Sequence, residues 1–140
     1  MKKSPVVHFE MGYNDKERMV GFYEKVFGWA PQRLGPEMGG YVVVETTETK
    51  DGRPTTPGAI NGGFYKKVAN PLSHAPSVVI AVEDIHTAVK EVEAAGGKIL
   101  GAMNQDGSQS MEPQMIPGVG LWISIMDTEG NRVSMLQPKM

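Results

Sequence analysis

The sequence has no cysteine among its 140 residues, which excludes disulfides, thiolate metal sites and a cysteine nucleophile together. It also lacks an excess of charge of either sign, since Lys and Arg number 14 against 16 for Asp and Glu. The net charge of −2 provides neither a basic surface for nucleic acid nor a polybasic patch for a membrane. We therefore expect no nucleic-acid partner and no membrane partner.

Long apolar runs are absent as well. The start of the chain passes directly into a segment of alternating polarity. No stretch is long enough for a signal peptide or a membrane helix, so we expect a cytoplasmic protein. The length and the 40% hydrophobic content fit a single domain with one sizeable core. The 17 glycines and 10 prolines imply many turns, which favours short strands over a helical bundle.

The first half of the chain contains a strand followed by a helix. Residues 6–11 alternate in polarity, so His8 and Glu10 share one face of the predicted strand. Asn14 or Asp15 then caps a helix whose apolar residues recur at helical spacing. The second half restarts with the same two elements.

Short segments rich in apolar and β-branched residues, bounded by turn signals, predict the remaining strands. These segments are residues 41–45, 59–65, 77–82, 98–100, 119–126 and 132–136. Asp51-Gly52 is a turn signal, and residues 127–131 predict a hairpin between the last two strands. Residues 104–117 are aperiodic and predict a long loop, which is either a cover over a pocket or a plain connection.

The two halves match when they are shifted by 69 positions, the separation of Asp15 and Asp84. This shift superposes the predicted helix caps, the helix ends at Gly28 and Gly97, and the apolar strand before each cap. We therefore predict an α+β fold of two tandem βαβββ modules within one domain spanning residues 1–140. The modules cover about 5–66 and 76–138, with a linker at 67–75.

Three segments resemble the vicinal oxygen chelate superfamily of glyoxalases, bleomycin resistance proteins and dioxygenases, and its glyoxalase-related branch in particular. The segments are DKERMVGFYEKVFGW, VEDIHTAVKEVEAAGGKIL and MDTEGNRVSML. They are similar to the two module helices and to the Asp-Pro-x-Gly-Asn hairpin, with Thr128 in place of proline. The resemblance implies curved mixed sheets around a cavity and a homodimer. It leaves the chemistry open, because the family contains isomerases, lyases, dioxygenases, epimerases and drug-binding proteins.

The resemblance also implies a metal site, with ligands on the first and last strands of each module, typically His or Gln first and Glu last. His8 matches the first position, whereas its counterpart 69 residues later is Ser77, and Ser134 stands where the family's Glu follows Gly-Asn. No acidic residue occurs within residues 52–82 or after residue 129. Because a divalent centre usually needs three or four protein donors, we predict that the metal site is lost and that the chain holds no cofactor.

His8 has two interpretations once the metal is removed. It is either a hydrogen-bonded strand histidine beside Glu10 or a pocket residue that binds substrate or acts as an acid or base near neutral pH. In the second case His8 and Glu10 are the candidate catalytic residues. The candidate ligand-binding residues are His8, Glu10, Tyr41, Asn61, Ser77, Trp122 and Ser134. A tryptophan on a strand is, however, more often part of a core.

Three functions are compatible with this sequence. The first is a metal-independent module that binds a small organic molecule in the sheet cavity, for which Tyr41 and Trp122 suit an aromatic or mixed-polarity ligand. The second is a metal-dependent lyase, isomerase or dioxygenase that uses His8, and the missing carboxylates count against it. The third is an accessory domain for a protein partner, which no residue pattern favours. We predict the first, and the sequence leaves open whether the protein is an enzyme.

Overall fold

The computed structural model of the chain describes residues 2–103 and 109–139, so residues 104–108 of the predicted loop lie outside it. The chain divides into two compact units. The first unit is His8–Pro76, and the second unit combines Met1–Val7 with Ser77–Met140. Each unit contains one helix of several turns and a mixed sheet, which confirms the α+β fold. Among the described residues, neither helix has the length and apolarity needed to cross a bilayer.

The helix of the first unit, α1 (Lys16–Phe27), begins and ends where the sequence predicts. The Asp15 carboxylate accepts a hydrogen bond from the Arg18 backbone N–H at 3.1 Å, which satisfies one of the free donors of the first turn. Gly28 ends the helix in the left-handed conformation, with φ of 71°, which costs glycine little because it has no Cβ.

The first unit has strands β1 (Val6–Tyr13), of which residues from His8 onward belong to this unit, β2 (Ala30–Arg33), β3 (Val42–Glu45), β4 (Thr49–Lys50), β5 (Arg53–Pro54) and β6 (Asn61–Lys66). Four of them form a sheet in the order β2-β3-β6-β1. β6 is parallel to β1 and antiparallel to β3. β4 and β5 form a separate hairpin around Asp51-Gly52, where both residues have positive φ, as the predicted turn requires. A short 3-10 helix (Pro36–Met38) precedes β3, and another (Pro71–His74) follows β6.

β2 was not expected from the sequence. Its four residues, Ala-Pro-Gln-Arg, show little β-propensity and include a proline that cannot donate to a neighbouring strand. β2 lies at the edge of the sheet and, among the described strands, pairs only with β3, and an edge is the position where a strand tolerates proline.

The core of the first unit lies between α1 and its sheet. Tyr13, Val20, Val42, Val44 and Phe64 are its buried residues. Phe9 and Met11 of β1 pack against this core, so Glu10 between them and His8 before Phe9 point to the opposite face of the sheet. The strand alternation therefore turns His8 and Glu10 away from α1.

The second unit repeats the same plan. Its helix, α2 (Ile85–Ala94), is capped by Asp84, whose carboxylate accepts hydrogen bonds from the N–H groups of His86 and Thr87. Its strands are β7 (Ser77–Ala81), β8 (Lys98–Met103), β9 (Gln109–Ser110), β10 (Gln114–Ile116), β11 (Gly120–Met126) and β12 (Arg132–Pro138). They are ordered β7-β12-β11-β8-β9, and β10 pairs with β11. Ile85, Ile123, Ile125 and Met135 form an aliphatic core beneath α2.

The prediction of an aperiodic loop over residues 104–117 is wrong in its later part. Residues 109–110 form β9, and Gln114–Ile116 form β10, which pairs antiparallel with β11. Strands of two or three residues are too short to show alternation of polarity, so the sequence pattern could not reveal them.

The units have equivalent strand pairing. In each, the first strand is parallel to the last, and the last is antiparallel to the strand before it in the sheet. Each unit thus contains a βαβββ succession with additional short strands, as predicted. Glu10 lies opposite Gly63, and Val79 lies opposite Ser134. Because residues 10 and 79 are also 69 positions apart, Gly63 and Ser134 occupy equivalent places on the two last strands.

Candidate functional site

His8 and Glu10 lie on the face of the first unit's sheet that is turned away from α1. His8 is half-buried, and Glu10 is buried with 9% of its surface exposed. The parallel register of β1 and β6 places Asn61 opposite His8 and Gly63 opposite Glu10. The structure therefore brings the two predicted catalytic candidates to one face.

Tyr41, just before β3, extends its phenol over Gly63 to reach both of these side chains. Its hydroxyl is 3.0 Å from Nε2 of His8. A Cβ on Gly63 would overlap the Tyr41 ring and hydroxyl. Gly63 does not have a positive φ, so the close approach of Tyr41, and not the backbone conformation, requires glycine here.

Glu10 hydrogen-bonds the Tyr41 hydroxyl and affects its acidity. Burial raises the pKa of Tyr41 far above its ordinary value, and the negative charge of Glu10 and the hydrogen bond to Glu10 raise it further. The phenol therefore stays protonated and donates a hydrogen bond to the Glu10 carboxylate. Since a phenol has only one hydrogen, the contact with His8 is one in which Nε2–H donates to the Tyr41 oxygen. This tautomer follows from the hydrogen-bond network.

His8 is the titratable end of the resulting His8–Tyr41–Glu10 chain. Burial lowers the pKa of His8 below its usual 6.5, so the imidazole is neutral at pH 7. With the hydrogen on Nε2, Nδ1 is a hydrogen-bond acceptor. No residue in the described part of the chain hydrogen-bonds Nδ1, which leaves this atom able to accept a hydrogen bond from a ligand.

Asn61 lies opposite His8, but its amide is engaged elsewhere. Its Oδ1 accepts a hydrogen bond from the Thr46 N–H at 2.9 Å, and its Nδ2 donates to Thr49 Oγ1 at 2.9 Å. These bonds fix the chain between β3 and β4. Its role as a ligand-binding residue stays a prediction.

The other predicted residues, Ser77, Trp122 and Ser134, belong to the second unit. Val133 and Met135 pack with the core beneath α2, so the alternation places Ser134 on the opposite face of β12. Ser134 is fully buried, and Ser77 Oγ accepts a hydrogen bond from Arg132 Nη2 at 3.4 Å. The described residues offer no hydrogen-bond partner to the hydroxyl of Ser134.

Trp122 lies on the same face of the second unit. Its neighbours along β11, Leu121 and Ile123, pack with the core beneath α2, whereas Trp122 alternates away from it and is half-buried. The alternative that Trp122 belongs to this core does not agree with the alternation.

The resemblance implies metal ligands at positions that this chain fills as follows. Nε2 of His8 is bonded to Tyr41, the Ser77 hydroxyl lies beside a guanidinium, and the two last strands carry Gly63 and Ser134 in place of carboxylates. Within residues 2–103 and 109–139, no three His, Cys, Asp or Glu side chains come together.

Sequence reasoning missed Gly63 and Arg132. The shift of 69 positions aligns Ser134 with Tyr65, whereas the strand register makes Gly63 its equivalent, because the segments before the last strands differ in length. The comparison of the two halves by a constant shift therefore could not identify Gly63. Arg132 was accessible, since its separation of two residues from Ser134 on a predicted strand places both on one face.

Comparison with known proteins identifies a family but no substrate. A model of the Glyoxalase/Bleomycin resistance protein/Dioxygenase superfamily matches residues 6–135. None of the curated protein sequences matches the chain. A hypothetical protein from Bacillus halodurans C-125 has a similar structure, with a TM-score of 0.67, 12% identity and coverage of 99% of this chain and 97% of that one.

Two further solved structures are similar. Methylmalonyl-CoA epimerase from Mycobacterium tuberculosis gives a TM-score of 0.63 at 12% identity, covering 96% of this chain and 88% of that one. A glyoxalase/bleomycin resistance protein/dioxygenase superfamily member from Vibrio splendidus 12B01 gives 0.59 at 17%, covering 96% and 99%. Similarity at such low identity establishes the fold, and a fold alone does not define a reaction.

Proposed function

The chain belongs to the glyoxalase/bleomycin resistance protein/dioxygenase superfamily, and on this basis we propose that it binds a small organic molecule without a metal ion. The binding face is the one that carries His8, Tyr41 and Glu10. The observation that carries the proposal is the hydrogen-bonded His8–Tyr41–Glu10 chain, which spans the place where the resemblance implies a metal ligand. The proposal covers binding and leaves catalysis open.

The chain of hydrogen bonds restricts the chemistry of the ligand. Nδ1 of neutral His8 accepts a hydrogen bond, so the ligand presents an O–H or N–H group to it. The Tyr41 ring adds apolar surface. An aromatic molecule with a hydroxyl or amide group satisfies both conditions.

A thermal-shift titration tests the proposal, because a ligand that binds only the native state raises its melting temperature. The probes are phenol and benzamide, each with EDTA and with added zinc, manganese or magnesium ions. We expect the same rise in every condition. His8→Ala should abolish the rise, whereas His86→Ala, which removes an exposed histidine of α2, should leave it unchanged.

Metal analysis after dialysis supplies the opposing outcome. One tightly held divalent ion per chain, lost in His8→Ala and kept in His86→Ala, would overturn the metal-free proposal. That result would restore the alternative of a metal-dependent lyase, isomerase or dioxygenase that uses His8. Equal melting temperatures with and without the probes would exclude small aromatic molecules with a hydroxyl or amide group as ligands.

The proposal also includes a homodimer in the cytoplasm. The homodimer is supported by the outer surface of α1, where Phe22, Val26 and Phe27 are 53%, 58% and 58% exposed. Contiguous apolar patches of this kind often mark interaction surfaces. Sedimentation at micromolar concentration should show a dimer for the wild type and a monomer for Phe22→Ser. A monomer in both would contradict the proposed homodimer.

A further inference from the structure

The hairpin of β4 and β5 is separate from the main sheet of the first unit. The two strands pair with each other, and neither pairs with a further strand among those described. Every residue of 46–60 is exposed or half-buried. A two-stranded hairpin is at best marginally stable by itself, so the position of this one depends on the contacts at its base.

The side chain of Asn61 anchors the base of the hairpin. Its Oδ1 accepts a hydrogen bond from the Thr46 N–H, and its Nδ2 donates to Thr49 Oγ1, both at 2.9 Å. A third bond runs from the Thr46 hydroxyl to the Ile60 carbonyl. Two of these three bonds are therefore made by one amide group.

This anchor lies beside His8. Phe64 of β6 packs in the core of the first unit, so alternation along the strand turns Asn61 to the opposite face. The parallel register places Asn61 directly opposite His8. The amide that holds the hairpin thus projects from the same face as the imidazole, and Thr49 of β4 lies on that side of the sheet.

We propose that the hairpin of β4 and β5 is a lid beside His8 and that Asn61 is the positioning residue that holds it closed. The closed hairpin restricts access to the imidazole, which is half-buried. When the bond between Asn61 and Thr49 breaks, the hairpin moves away from the face. The role of the lid in ligand exchange rests on the function proposed for His8, whereas its opening can be measured without a ligand.

Two threonines of the hairpin provide a matched pair of variants. Thr49→Val keeps the shape of the side chain and removes the hydroxyl that accepts from Asn61. Thr55→Val is the control, because the Thr55 hydroxyl donates to the Glu48 carbonyl inside the hairpin and takes no part in the anchor. Thr49→Ser, which keeps the hydroxyl, should behave like the wild type.

Diethyl pyrocarbonate, which acylates accessible imidazoles, reports the exposure of His8 by the mass that it adds. Thr49→Val should speed the acylation of His8 about fivefold, the equivalent of one hydrogen bond, and Thr55→Val should not change it. Asn61→Ala, which removes both amide bonds, should speed the reaction further. His86, exposed on α2, is the internal reference and should react equally in all variants.

Hydrogen exchange shows whether the hairpin opens or the whole unit unfolds. The Thr55 N–H is bonded across the hairpin, and the Gly28 N–H is bonded at the end of α1. In Thr49→Val, exchange should be faster at Thr55 and unchanged at Gly28. Equal acylation of His8 in Thr49→Val and Thr55→Val, or unchanged exchange at Thr55 in Thr49→Val, would overturn the lid.

Phenol distinguishes a failure of the lid from a failure of the proposed function. Bound phenol should dissociate faster from Thr49→Val than from Thr55→Val, which relaxation of the phenol proton signals measures. Equal dissociation rates would contradict the lid and leave the proposed binding intact. If phenol does not raise the melting temperature of the wild type, the proposed function fails for this probe, and the acylation and exchange rates still decide the lid.

Discussion

The two units share one plan of strand pairing but carry different chemistry on the face away from the helix. The first unit fills this face with His8, Tyr41 and Glu10, which hydrogen-bond one another. The second unit carries Ser134 and Arg132 instead. The difference shows that strand register and a buried core specify the fold, whereas side chains on the other face can change without altering it.

The two units also differ in the residue types of their cores. The first unit contains an aromatic cluster in which the rings of Tyr23 and Trp29 are stacked with centroids 4.6 Å apart, and Phe64 packs against both. The second core consists of isoleucines and Met135. Aromatic pairs add about 0.5–1.5 kcal/mol beyond the area they bury, so the two cores should respond differently to truncation.

The largest expected effect is on the aromatic core. Phe64→Ala should lower the free energy of unfolding by about 4 kcal/mol, because a fully buried ring is lost and its cavity remains. Ile123→Ala, the counterpart in the aliphatic core, should cost about 3 kcal/mol. Urea unfolding of both variants measures the difference. A greater loss in Ile123→Ala would show that the aromatic contacts add nothing.

The equivalent positions 63 and 134 should respond in opposite directions. Gly63→Ala places a methyl group against Tyr41 and should lower stability by about 2 kcal/mol. Ser134→Ala removes a buried hydroxyl without a hydrogen-bond partner among the described residues and should raise stability by about 1 kcal/mol. Chemical denaturation of both variants measures the two changes in the free energy of unfolding. A neutral Gly63→Ala would mean that Tyr41 does not lie over Gly63 in solution.

The pH dependence of stability that a histidine causes, just below pH 6.5, should belong to the first unit. Burial lowers the pKa of His8, so below its ordinary value of 6.5 the unfolded chain binds more protons than the native state at this site. The contribution of neutral His8 to the free energy of unfolding is complete above pH 6.5 and is lost as the pH falls from there through the lowered pKa. Ser77, its counterpart, does not titrate. His8→Gln should flatten this part of the curve, and His86→Ala should not. An unchanged slope in His8→Gln would contradict the assignment.

The smallest expected effect distinguishes the helix caps. Asp15→Ala and Asp84→Ala should each cost about 1 kcal/mol. Asp84 accepts two backbone N–H groups and Asp15 accepts one, so the loss should be greater for Asp84 by roughly 0.3 kcal/mol. Thermal unfolding of the two variants side by side tests this order, and the reverse order would show that the second hydrogen bond adds no stability.

Sequence reasoning succeeded where a structural signal is local. The Asp15 cap, the Gly28 end and the Asp51-Gly52 turn each depend on a few adjacent residues, and the structure confirms them. β2 was missed because Pro31 hides an edge strand, and β10 was missed because three residues show no periodicity. Local signals weaken as elements shorten.

The candidate site was predictable only in part, for the same reason. His8 and Glu10 share a face because a strand alternates, which any reader of the sequence can infer. The contact of Tyr41 with both residues depends on the long-range register of β1 and β6 and on the missing side chain of Gly63. Pairing between distant strands leaves no local trace, so Tyr41 could be named as a candidate but not joined to the other two.

The placement of Tyr41 over Gly63 restricts the mutational routes open to this protein. A carboxylate at position 63 would supply an acidic group on the last strand of the first unit, but any side chain there overlaps the phenol. Tyr41 must move or become smaller to admit a side chain at position 63, so a larger replacement of Gly63 is favoured after Tyr41 has been shortened. A library that varies Tyr41 and Gly63 jointly should therefore recover an acidic residue at position 63 more readily than one that varies a single position at a time.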